Sequence, residues 1–161
     1  MTTLNAPALI TPQELLEHWQ GHRGLTRKTI EAFPEDQLFT FQPAKPMRPF
    51  GPMMIELLGM VGTTLEGFKS GQWSTDLSNY ASINSKAALL EAWDEMTVTL
   101  EGAWKEVSSQ RLLTQESAYG FPVRPLFHLT LYLIDNEIHH RAQGYVYLRL
   151  LEIEPPSFYQ R

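Results

Sequence analysis

Apolar residues recur at helical intervals over four long stretches of this chain, and residues that start or stop helices bracket each stretch. The third stretch is the clearest. Leu89, Leu90, Trp93, Met96, Leu100 and Trp104 step by three and four, which places them on one face of a helix. The pattern predicts a helix from Lys86 to about Val107, capped by Asn84 or Ser85. The first stretch opens with Thr11, Pro12 and Glu14, a capping box with proline at the first helical position. Its stripe of Leu15, Trp19, Ile30 and Phe33 stops at Pro34. The second begins near Pro49–Pro52 and runs to about Phe68, and the fourth runs from about Val123 to Leu151 with Pro125 in its first turn. Residues 39–46, 70–84 and 108–122 are rich in prolines or polar residues and read as connections. These lengths imply one all-α domain over residues 1–161, a four-helix bundle with one or two long crossover connections.

Composition narrows the function classes. The chain has 161 residues, 43% of them hydrophobic, enough to bury a core. Its net charge is -5 and it has no run of Lys or Arg. Nucleic acid and membrane surfaces select clustered basic residues, so neither is an expected partner. Cysteine is absent, which excludes disulfides, a Cys nucleophile and a Cys-rich zinc site. The first ten residues show no basic segment followed by an apolar core, and no apolar run approaches the ~18 residues of a membrane span. A cytoplasmic protein is the expectation.

Asp135-Asn136-Glu137-Ile138-His139-His140-Arg141 carries most of the chemistry-bearing residues of the last helix. Leu129, Leu133, Asn136, His140, Gly144, Tyr147 and Leu151 form one stripe, so Asn136 and His140 are expected to face the core together. In the second helix, Glu56 is the only charged residue between Met53 and Val61. A lone buried carboxylate is costly, and His140, Asn136 or a shared metal would relieve it. Bundle metal sites are built from such inward side chains on facing helices. Imidazole and carboxylate suit zinc, nickel, iron or manganese. The metal-free alternative is a polar network in which protonated His140 donates to Glu56 and Asn136 completes the set.

Phe50-Gly51 before an apolar turn, the late His139-His140-Arg141-Ala142-Gln143, and Tyr145-Val146-Tyr147-Leu148-Arg149 closing on Ile153-Glu154-Pro155-Pro156 resemble the DinB-like family. The family is named for expression induced by DNA damage. The resemblance spans nearly the whole chain and implies the DinB/YfiT-like bundle shared with bacterial thiol-dependent transferases. It also implies a divalent metal on three histidines, one on helix two and two on the last helix, four apart. Those positions hold Glu56, Asn136 and His140 here. Implied with them are metal-dependent transferase or hydrolase chemistry on a small-molecule or thiol substrate, and a homodimer. The alternative is a non-catalytic stress-response or small-ligand bundle. Dimerisation is also expected from the glycines of helix two, Gly59, Gly62 and Gly67, which suggest close approach of neighbouring backbones.

Other residues read as follows. His139, Glu137, Arg141 and Tyr147 are candidates to support the ligands or meet a substrate. His139 lies on the more polar face, where solvation is the simpler role. Arg141 and Arg149 could clamp an anion, although surface ion pairs with Glu137 and Glu152 are simpler. His18 and His22 read as surface or core-edge residues, and Met53, Met54, Met60 and Met96 as packing. Trp73 reads as core or loop packing.

Overall fold

A computed structural model describes residues 9–161. Four long helices form the bundle: α1 (Pro12–Ala32), α2 (Phe50–Ser70), α3 (Lys86–Trp104) and α5 (Phe127–Leu150). A short α4 (Ser109–Leu113) and a two-stranded ribbon, β1 (Gln115–Glu116) and β2 (Arg124–Pro125), interrupt the last connection. α1 and α2 each pack on both α3 and α5. α1 therefore faces α2 across the diagonal, and α3 faces α5. The all-α four-helix expectation matches this architecture, although all three connections are long.

Local signals explain the helix starts. The Thr11 hydroxyl accepts from the Glu14 amide at 3.1 Å, and the Glu14 carboxylate accepts from the Thr11 amide at 2.8 Å. Ser85 caps α3 through the Ala88 amide at 3.2 Å. Gly71 ends α2 with φ 75, a left-handed cap that suits glycine. Replacing Thr11 by Ala is expected to cost about 1 kcal/mol, read as a lower urea midpoint with an unchanged slope.

Two boundaries differ from the sequence expectation. α3 stops at Trp104 rather than Val107, because Glu106 and Val107 donate three residues back to Ala103 and Trp104 in turns. Ser108 then caps α4. α5 begins at Phe127 rather than Val123, because Arg124–Pro125 pairs antiparallel with Gln115–Glu116. Pro125 is thus a strand residue. Glu116 anchors that ribbon, accepting from Arg111 Nη1 and from Trp73 Nε1, each at 2.7 Å.

Trp19, Phe33, Phe50, Leu58, Trp93, Leu100 and Leu148 lie at the centre of the core. Met53, Met54 and Met96 are buried packing, as expected. Trp73 also packs. It lies against Gly67, where an added Cβ would stand 2.2 Å from its ring. Leu77 occupies the notch at Gly59 in the same way. Gly59 and Gly67 of α2 therefore admit side chains of the chain's own crossover.

Candidate functional site

Of the three residues singled out as ligands, the seam between α2 and α5 brings Glu56 and His140 near each other, while Asn136 contacts Met60. His140 is buried on α5, and its Nε2 stands 4.0 Å from Glu56 Oε1 on α2. Glu56 is not the lone buried carboxylate expected. Its side chain keeps 29% of its exposure, and its Oε2 accepts from Arg48 Nη1 at 2.6 Å. The partner comes from the loop before α2 and not from across the bundle. Tyr147, fully buried two turns further along the same stripe, donates to the Arg48 carbonyl at 3.0 Å and so holds that loop. Asn136 is half-buried one turn before His140, and its amide nitrogen points at Met60 Sδ, 3.4 Å away. His139 is exposed, and its Nε2 lies 2.8 Å from the Gln143 amide nitrogen, consistent with a solvated role.

Burial lowers the His140 pKa, against an upward pull from Glu56, with His139 and Arg48 also pushing down. Burial therefore favours the unprotonated ring. A protonated His140 donating to Glu56 does not describe the site, and the 4.0 Å separation exceeds a hydrogen bond.

A divalent ion would have to meet this donor set. At bonds of about 2.1 Å a tetrahedral ion would need Nε2 and Oε1 about 3.4 Å apart, so the observed 4.0 Å would have to close for both to hold it. The Asn136 amide adds an oxygen, a weak donor for the softer metals. Two observations limit the affinity. Arg48 neutralises part of Glu56, and the buried His140 Nδ1 has no partner, whereas ligating imidazoles normally donate that proton to an acceptor. Among the described residues no three His, Asp or Glu side chains form a metal shell. Glu56 and His140, with Asn136, are the residues that would hold such an ion, and they would hold it weakly.

An apolar cleft of about 280 Å³ continues the seam from Met60 toward the start of α5. Thr63, Thr64, Leu129, Leu133 and Tyr119 line it. The Tyr119 hydroxyl lies 2.9 and 3.0 Å from the two threonine hydroxyls. The arrangement is a polar head on an apolar slot, the usual anatomy of a small-molecule site.

The other two candidates belong to a different seam. Glu137 and Arg141 face α1 and are buried, so their ion pair, at 3.7 Å, is not a surface pair. The Thr26 hydroxyl donates to Glu137 at 2.6 Å, and Arg141 donates to Thr26 Oγ1 and the His22 carbonyl. Arg23, also buried, spends its guanidinium on Thr97 and the Trp93 carbonyl. Burial raises the Glu137 pKa, while Arg23, Thr26 and Arg141 oppose it. The Trp19 indole pulls the same way as those three but falls short of a formed hydrogen bond. His22, expected at the surface or core edge, is buried. Its two ring nitrogens lie 2.9 Å from Arg141 and from Arg161. Burial, then Arg141, Arg161 and His18, hold its pKa down to about 4. Sequence reasoning missed this layer. Its signal was a second buried period on α5, Thr130–Ile134–Glu137–Arg141–Leu148, concealed by its two charges.

An all-α bundle with a ligand-type pair across its α2–α5 seam is the class that fold and site define. The chain belongs to the DinB family, whose model matches residues 1–161. Among solved structures it is similar to a DinB-like protein from Bacillus cereus ATCC 10987, with TM-score 0.78 and 19% identity, over 92% of this chain and 98% of that one. A DinB-like protein from Bacillus subtilis gives TM-score 0.72 and 20% identity over the same shares. A histidine-to-alanine mutant of the mycothiol-dependent maleylpyruvate isomerase gives TM-score 0.61 and 10% identity, over 82% of this chain and 60% of that one. No curated protein matches the chain. No helix among the described residues is long and apolar enough to cross a membrane.

Proposed function

We propose that this DinB-family bundle is a divalent-metal-dependent enzyme of the transferase or hydrolase type acting on a small molecule. The observation that carries the reading is the approach of His140 Nε2 to Glu56 Oε1 across the α2–α5 seam, 4.0 Å apart, with burial favouring the unprotonated ring; an apolar cleft opens one turn further along α2, at Met60. Glu56 and His140 would hold zinc, nickel, iron or manganese, with Asn136 assisting. When bound, the ion lowers the pKa of a water or thiol. The chain's own residues do the rest. Arg48 fixes one Glu56 oxygen and presents positive charge to an anionic group, and Tyr147 fixes the Arg48 backbone. Met60, Leu129 and Leu133 exclude water from the substrate's apolar part. The likeness in fold to a mycothiol-dependent enzyme supports a thiol among the candidate co-substrates.

The Arg48–Glu56 pair favours a second reading, a small-ligand or stress-response bundle without metal. Elemental mass spectrometry on untagged protein, purified without added metal, separates the two. The expected result is near one ion per chain, lost in His140→Ala and retained or increased in Arg48→Ala. No metal after dialysis against zinc, nickel and manganese would move the function to the second reading.

The same proposal takes the protein as a cytoplasmic homodimer. Leu131, Val146 and Leu150 are exposed on α5 and give a second copy an apolar surface to cover. Elution at the 18.5 kDa of one chain would rule the dimer out.

A further inference from the structure

The seam of α2 with α3 holds a cavity of about 940 Å³, larger than the cleft beside α5. Its floor is apolar, built from Gly59, Gly62, Phe68, Met96, Ala103 and Val107. The crossover after α2 supplies its outer wall through Leu77 and Tyr80. Gly62 keeps the floor low. A Cβ there would stand 3.4 Å from Met96 Cε and 4.0 Å from the Tyr80 hydroxyl.

Charge around the rim is one-sided. Glu66, Asp76 and Glu106 stand against Lys69. None of these four makes an ion pair among the described residues. Arg111, the other cation lining the cavity, is committed to Glu116 and to the Phe68 and Gly67 carbonyls. An apolar chain laid on the floor leaves water, while a positive head at the rim meets carboxylates that hold no cation, although Asp76 Oδ1 already accepts from the Ser78 amide at 2.9 Å. An anionic head would meet repulsion at the same place.

We propose that the α2–α3 groove binds a small cationic amphiphile, one protonated amine on a single apolar chain. This site is separate from the Glu56–His140 head and uses none of its residues.

Isothermal titration calorimetry on the whole chain at neutral pH tests it, with n-octylamine, n-octanol and n-octanoate as probes. The expected result is one octylamine per chain, with octanoate weaker by about tenfold or more and a loss of amine affinity in high salt. Glu106→Gln combined with Asp76→Asn is expected to weaken octylamine about three- to tenfold and to leave octanol unchanged. Gly62→Leu fills the floor and is expected to abolish binding of amine and alcohol alike. Should that variant fail to fold, Thr99→Trp blocks the groove from an exposed position on α3. Octanoate binding as tightly as octylamine would overturn the proposal, as would amine binding that survives the filled groove. So would the absence of any amine heat up to the probe's solubility limit.

Discussion

Glu137→Ala is expected to lose about 3–5 kcal/mol of folding stability, the largest effect of any single change in the polar layer. The carboxylate is 1% exposed and faces two buried guanidinium groups, Arg23 and Arg141. Removing it leaves those charges in the core without their counterion, and it strips Thr26 of an acceptor at 2.6 Å. Urea unfolding of parent and variant at pH 7 measures the loss. Converting both Glu137 and Arg141 to Met tests the mechanism. An apolar pair removes the uncompensated charge along with the bridge, so the double variant should lose less than Glu137→Ala. A Glu137→Ala protein within about 1 kcal/mol of the parent, well below the loss of a broken buried pair, would mean the layer is wet and loosely held.

Acid is expected to weaken the fold through His22, by on the order of 2 kcal/mol after discounting for solvent near the ring. The ordinary value of 6.5 falls to about 4 in the folded chain. Above pH 6.5 the ring is neutral in both states and nothing is lost. Between pH 6.5 and 4 the unfolded chain takes up a proton that the folded chain refuses, so stability falls as pH falls through this window. Glu137 works in the opposite sense. Its raised pKa contributes stability below the ordinary 4.5 that is lost as pH rises through the folded value. His22→Asn isolates the histidine contribution. Urea midpoints measured across that window should fall less steeply in the variant than in the parent. Parallel curves would remove His22 as the source.

The sequence revealed the frame better than the site. Thr11, Ser85 and Gly71 act locally, through hydrogen bonds within one turn, so they could be read without knowing any neighbour. The α2–α5 stripe was legible for the same reason: its apolar members share one face of one helix. Arg48 was not, because it reaches Glu56 from a loop eight residues away, and no periodicity connects a loop to a helix face. The α1–α5 layer was hidden by its chemistry. Glu137 and Arg141 are four apart, the spacing of an exposed ion pair, and only their burial against α1 distinguishes them. The two-residue ribbon was too short to carry an alternating pattern.

His140 and Arg141 are neighbours in the chain yet serve different seams, one against α2 and one against α1. The two seams therefore tolerate change unequally. Glu56 and Asn136 are partly open to water, so replacing either one asks little of folding, whereas Glu137 and Arg141 are wired into the centre. A bundle of this design can exchange its reactive side chains one at a time and still fold. Tolerance of substitution is thus expected on the α2 side, with the α1 side acting as the keel.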